Sequence, residues 1–389
     1  MMIYLDNAST TQVSQELKSI IDEYLYDQYG NAGSKHKLGD RAKIAIAESK
    51  RILSFVFQTH EDNIIFTSSG SEANTLAIIG LANYLEKNNT KHIITSAYEH
   101  HSVLNAMKEM ERRGFKVTYL HPHSDGVISV DDFKNAIKED TGFASIMFVN
   151  NELGTKNNIE EMYTLCKENN IIFHSDCVQA ISTECLGMEK LADMISVSGH
   201  KIHAPKGVGC LCTKVKEHLS NIIFGGEQEF GLRPGTENVA FIKAFSYAAN
   251  YTYITHKLTV EKLYQLTSLF GYTLLKYCER ENIKVHFNAS SPYKTPKICS
   301  VRFDGVDAET LTLMLSNSDI CVSSGAACSS RSSEPSHVLK AIGLSDEEAR
   351  STIRVSVSAL NTDEEMESAA KIIVDCVKTL QQIGKNINE

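Results

Sequence analysis

The sequence predicts an α/β protein: a mainly parallel sheet covered by helices in a large domain, followed by a smaller α+β domain. Three observations carry this reading. From about residue 60 to 200, apolar runs of three to five residues alternate with segments of helical period, the pattern of parallel strands joined by crossover helices. Past about 240 the alternation gives way to an amphipathic helical stretch at 255–280 and to short strands at 297–303, 320–322 and 352–357. The 389 residues also exceed the roughly 150 of a typical domain. A boundary near 250 then gives a large domain at 14–250 and a small one built from 1–13 and 251–389.

The elements follow in order. Residues 3–5 make a short strand and Asp6-Asn7-Ala8-Ser9-Thr10-Thr11 a polar turn. Leu17, Ile20, Ile21, Tyr24 and Leu25 recur at helical spacing over 14–29. Gly30-Asn31-Ala32-Gly33-Ser34 breaks that helix, and another runs to about Phe57. Strands at 64–67, 93–95, 117–120, 145–149 and 171–175 then alternate with helices at 71–87, 101–113, 131–138 and 159–169. A strand from Asp193 leads into Ser198-Gly199-His200-Lys201, and Pro205 and Gly207 precede a further strand at 208–213.

A net charge of −9 argues against nucleic acid or an anionic membrane as the main ligand. The amino terminus carries no basic region followed by an apolar core, and no apolar run approaches the roughly 20 residues that span a bilayer. The ten cysteines are scattered with no Cys-x-x-Cys pair; Cys210 and Cys212 share one face of a strand and would need other ligands to hold a metal. Reduced thiols in a cytoplasmic protein are expected.

In open α/β sheets ligands gather beyond the carboxyl ends of the strands. After 64–67 comes Thr67-Ser68-Ser69-Gly70-Ser71-Glu72-Ala73-Asn74, opening a helix. Small residues, a hydroxyl and free backbone N–H groups there suit a phosphate; capping of the helix by Ser69 or Ser71 is the plainer use of the same residues. After 93–95 comes Tyr98-Glu99-His100-His101, where a histidine could stack on a planar ring, move protons, or simply face solvent. Asn150-Asn151-Glu152 supplies amide donors. Asp176 closes an apolar strand, where a carboxylate is costly to bury without a partner such as a protonated pyridine nitrogen. Lys201 stands at another strand end as an amine able to form a Schiff base. Together these loops point to pyridoxal 5'-phosphate, whose aldehyde condenses with a lysine amine.

The chain resembles the cysteine desulfurases, pyridoxal-phosphate enzymes of the class V aminotransferase type. The likeness runs from Ile3-Tyr4-Leu5-Asp6-Asn7-Ala8-Ser9-Thr10-Thr11 through Thr95-Ser96, Glu99-His100, Val149-Asn150-Asn151-Glu152-Leu153-Gly154, 176–179 and 198–201. It continues through Arg233-Pro234-Gly235-Thr236-Glu237-Asn238, Ser323-Ser324-Gly325-Ala326-Ala327-Cys328 and Glu334-Pro335-Ser336. The resemblance implies a fold-type I homodimer that converts L-cysteine to L-alanine, leaving a persulfide on Cys328 for an iron–sulfur scaffold or sulfur carrier. It implies that Lys201 forms the Schiff base, Asp176 pairs with the pyridine nitrogen and Gln179 donates to the ring hydroxyl. His100 would stack on the ring and transfer protons. Ser71, Ser198 and His200 would hold the phosphate, with Thr236 reaching across from the other subunit. Asn151 would touch cofactor and substrate, and Arg354 the substrate carboxylate. No metal is implied beyond a transient iron–sulfur species on Cys328.

Two of these roles have support in the residues alone. Strand alternation in 352–358 puts Ile353, Val355 and Val357 on one face and Arg354, Ser356 and Ser358 on the other, where arginine can grip a carboxylate with two parallel hydrogen bonds. An exposed arginine in a surface ion pair is the alternative. Cys328 stands in a run of small polar residues that predicts a mobile loop over about 323–334, an odd place for a structural cysteine, with Arg331 near enough to favour the thiolate. Three positions depart from the family pattern: Phe230 where arginine is frequent, Ala204 where glycine is, and no proline near 32. No scaffold-docking tail follows Glu389, which leaves the acceptor open. The rival readings are a selenocysteine lyase, a class V aminotransferase and a non-enzymatic sulfur relay or cluster holder.

Overall fold

The computed structural model describes residues 2–289, 291–324 and 334–388, with side chains to 383; Cys328 lies outside them. The chain enters on β1 (Ile3–Tyr4). After the helix Lys37–Val56 it builds a sheet from β2 (Ile64–Thr67), β3 (His92–Ser96), β4 (Lys116–Leu120), β5 (Thr141–Ser145), β6 (Ile172–Asp176), β7 (Met194–Ser198) and β8 (Gly209–Thr213). The order is β2-β8-β7-β6-β5-β3-β4. β8 is antiparallel to both neighbours and the other pairings are parallel, so six strands run one way. Strand alternation feeds two apolar layers. Ile64, Phe66, Ile195 and Val197 join Phe57, Phe133 and Phe173 in one, while Ile65 and Met194 join Leu76, Phe143 and Leu211 in the other.

The second part carries β9 (Val285–Phe287), β10 (Ile298–Phe303), β11 (Ile320–Cys321) and β12 (Thr352–Ser356). β10 lies antiparallel between β9 and β12, and β1 pairs in parallel with β11. Leu5 therefore packs with Phe270, Leu311, Ile353, Val355, Val357 and Ile373 rather than with the large sheet.

Four expected elements differ. The helix expected over 14–29 is a 3-10 turn Gln15–Leu17, an α-helix Lys18–Asp22 and a π-turn Glu23–Asp27. The helix at 71–87 divides into Gly70–Gly80 and Ala82–Lys87, because Ser220 N donates to the Gly80 carbonyl at 2.8 Å. The strand expected at 145–149 ends at Ser145: β5 starts at Thr141, where its register with β3 and β6 places it, and not where the apolar run begins. The helix at 255–280 is the second half of Val239–Arg280. Its first half, with Val239, Ile242, Phe245 and Ala249 buried, is apolar nearly all round, which blurs the amphipathic period. Position 250 lies inside this continuous helix.

Candidate active site

A cavity of about 340 Å³ opens beyond the carboxyl ends of β2, β3, β6 and β7. Each strand delivers one component. Past β2, Ser69 caps the helix Gly70–Gly80 by accepting from Glu72 N at 3.2 Å, and both Ser69 and Ser71 line the cavity. A Cβ on Gly70 would lie 2.5 Å from Val178 Cγ2, so only glycine lets the helix start come this close to the cavity floor. Ser198 and His200 also line the cavity. Burial, with Lys201, Lys206 and Lys297 nearby, pushes the His200 imidazole down to about 3, so it is a neutral ring whose Nδ1 lies 3.2 Å from Thr10 Oγ1.

Asp176 ends β6, is 4% exposed, and accepts from Asn74 Nδ2 at 2.7 Å and Val178 N at 2.9 Å. Lys201 closes the turn Gly199–Lys201, and its Nζ donates to the carbonyls of Ala8 and Ser9 at 2.6 and 2.8 Å. Gln179 Nε2 donates to the same Ala8 carbonyl at 2.8 Å, while its buried Oε1 meets no partner. His100 caps the helix His101–Arg112, its Nδ1 accepting from Ser102 N at 3.1 Å and lying 2.8 Å from Ser102 Oγ. That arrangement places the ring proton on Nε2. Burial lowers the His100 pKa, Asp176 opposes this, and Lys201 and His101 reinforce it.

Arg354 is 3% exposed and not a surface ion pair. Its Nη2 donates to Asp6 Oδ1 at 2.9 Å and Ser9 Oγ at 2.6 Å, its Nη1 to the Asn151 carbonyl at 2.8 Å, and its Nε meets no partner. Asn151 lines the cavity with Oδ1 buried and unpartnered. Thr236 is exposed and lies away from this cavity in its own chain. Sequence reasoning missed Asp6, Ser102 and His337, which holds the Glu99 carbonyl at 3.0 Å, and gave Asn74 no role. Asp6 and Asn74 stand inside motifs already quoted, so their position was the available signal.

These atoms fit pyridoxal phosphate. A buried carboxylate that makes no ion pair among the described residues can take a cationic partner, two cavity-lining amides, Asn151 and Gln179, keep buried oxygens without a partner, and hydroxyls sit at a helix start. Fold and cavity together define a fold-type I pyridoxal-phosphate enzyme. The family described as Aminotransferase class-V matches residues 3–368, and the chain belongs to that family. Within it, the chain is similar to a protein named cysteine desulfurase IscS from Clostridium botulinum, 36% identical over 98% of this chain and 96% of that one. A solved structure described as a NifS-like protein superposes with a TM-score of 0.90 at 31% identity, covering 98% of this chain and 100% of the other. Another, described as SspA in complex with cysteine, gives 0.80 at 32% identity over 92% and 99%.

Proposed function

We propose that the protein is a cysteine desulfurase that takes sulfur from L-cysteine onto Cys328, releases L-alanine and passes the sulfur to an acceptor protein. The observation that carries this reading is the convergence of Lys201, Asp176, His100 and Arg354 on one cavity. Lys201 would hold the cofactor covalently, Asp176 and Gln179 its ring, and Ser71, Ser198 and His200 its phosphate, with Thr236 supplied by a second subunit of a homodimer. Pyridoxal phosphate supplies an electron sink that loosens bonds at the substrate's α- and β-carbons. Arg354 and Asn151 orient the substrate carboxylate. Lys201 and the neutral His100 imidazole take and return protons. The Cys328 thiolate attacks the substrate sulfur; an S–S bond forms, the C–S bond breaks, and its electron pair stays with the carbon skeleton, which gains a proton and leaves as alanine. Cysteine and one thiol thus become alanine and one persulfide, with no outside oxidant.

An iron–sulfur scaffold or a sulfur carrier is the acceptor class this chemistry serves. The domain reading, 14–250 against 1–13 with 251–389, is supported by Leu5 packing among residues beyond 260. No described helix is long and apolar enough to cross a membrane, and the nine described cysteines are free thiols, which supports the cytoplasmic reading. The test is to mix purified protein with pyridoxal phosphate, L-cysteine and a reductant, and to measure sulfide and alanine. Equal amounts of both are expected. Pyruvate in place of alanine would indicate an aminotransferase, activity on selenocysteine alone a selenocysteine lyase, and no product a sulfur relay. Cys328→Ser should keep the visible absorbance of the lysine-bound cofactor and lose alanine release.

A further inference from the structure

Lys297 is a lysine in a place where lysine is hard to keep. It stands immediately before β10 and is 3% exposed. Its Nζ reaches two oxygens, Ser182 Oγ at 3.3 Å and the backbone carbonyl of Lys201 at 3.2 Å. Among the described residues it makes no ion pair. The elements around it present cations or neutral groups. The turn Gly199–Lys201 presents Lys201 and His200, the loop after it His203, β12 presents Arg354, and the turn Ala180–Ser182 contributes only a hydroxyl. Burial, then Lys201 and Arg354, push the Lys297 amine down to about 7. An ammonium buried among cations is destabilising, and a neutral amide could make the same two hydrogen bonds at lower cost. Packing therefore does not explain the amine.

We propose that Lys297 is a positioning residue for Lys201: it pins the carbonyl of the Schiff-base turn and, whenever it carries its proton, weakens proton binding at the Lys201 nitrogen. This rests on Lys201 being the cofactor-bearing lysine. Two neighbouring amines resist being charged together, and a second cation is a known way to keep a nucleophilic lysine unprotonated. Lys297 also ties two halves of the site together. Val357 N donates to its carbonyl at 2.9 Å, so the strand that carries Arg354 is fastened through Lys297 to the turn that carries Lys201.

The test is a pH titration of the visible absorbance of the holoenzyme for wild type, Lys297→Met and Lys297→Arg. Removing a cation favours the protonated form, so in Lys297→Met the midpoint should rise by about one unit, a tenfold change in the protonation equilibrium. Lys297→Arg, permanently charged, should hold it at or below the wild-type value. If Lys297→Met does not fold, Lys297→Gln keeps a donor without the charge and should show the same rise. An unmoved midpoint in either neutral variant overturns the proposal, because a purely structural side chain would leave it in place. A wild-type protein with no visible band after loading with pyridoxal phosphate would overturn the cofactor reading and this proposal together.

Discussion

Asn74 Nδ2 lies 2.7 Å from Asp176 Oδ2 and also donates to Ser102 Oγ at 2.9 Å, which in turn sits 2.8 Å from His100 Nδ1. The Asp176 carboxylate and the His100 imidazole, both lining the cavity, thus share one support. Removing it in Asn74→Ala leaves a buried carboxylate oxygen short of a donor, at a cost of about 1–3 kcal/mol. Turnover should fall about tenfold and the melting temperature should drop. Asn74→Asp should lose more than the alanine variant, since a second carboxylate beside Asp176 disfavours its ionised form. Steady-state kinetics with the cofactor absorbance spectrum checks both; equal losses in the two variants would count against the electrostatic part.

Arg354 is occupied before any substrate arrives. Asp6 and Ser9 take its Nη2, and Nε is the guanidinium atom left unpartnered. In the proposed role of Arg354, a substrate carboxylate would displace Asp6 or share the guanidinium with it. Arg354→Lys cannot offer two parallel donors, so KM for L-cysteine should rise by about ten- to a hundredfold with a smaller change in kcat. Asp6→Asn weakens the competing anion and should lower KM several-fold. A KM unchanged by Arg354→Lys would remove this residue from carboxylate binding.

Two buried carboxyls set a pH signature. Burial raises Glu99 to about 8, against hydrogen bonds from Ser96 Oγ at 2.6 Å and Met147 N at 2.8 Å, and raises Glu152 to about 7. A carboxyl whose pKa is higher folded than unfolded binds its proton more tightly in the native state. It stabilises fully below its unfolded value, and the contribution is lost as pH climbs through the folded one. Native stability from Glu99 should therefore decline between about pH 4.5 and 8. Glu99→Gln stays neutral, so its melting temperature relative to wild type should increase steadily from pH 5 to 8. Parallel curves would show that Glu99 does not titrate there.

How far the sequence spoke for this site depends on whether a residue's surroundings are local. Arg354 was legible because Ile353, Val355 and Val357 alternate with it, and those three do lie together in one core. Asp176 was legible because it ends a strand, and Lys201 because it stands in the polar turn that follows one. Asn74 carries no such mark: its partner Asp176 is 102 residues away, and an asparagine on a helix ordinarily faces solvent. Lys297 reads as a solvated lysine after a proline, and its burial arises only when β10 docks on the turn Gly199–Lys201. The first half of Val239–Arg280 was missed because its apolar residues run nearly all round the helix, exposed Tyr247, Tyr251 and Ile254 included, which blurs the amphipathic period.

Ser336 fastens one end of the segment that bears Cys328. Its Oγ donates to the buried Glu152 Oε2 at 2.6 Å and caps the helix His337–Ala341. At the other end Ser323 exchanges backbone hydrogen bonds with Arg354, at 2.7 and 3.2 Å. Both ends are therefore tied to residues that line the cavity. Ser336→Ala removes a cap worth about 1 kcal/mol and strips Glu152 of a hydrogen bond that opposes the rise in its pKa. The expected result is a lower melting temperature and slower alanine release in a single turnover, with the cofactor spectrum and its response to added cysteine retained. Ser336→Thr keeps the hydroxyl and should restore most of the rate. If the alanine variant binds cysteine and releases alanine at the wild-type rate, the fastening has no part in sulfur transfer.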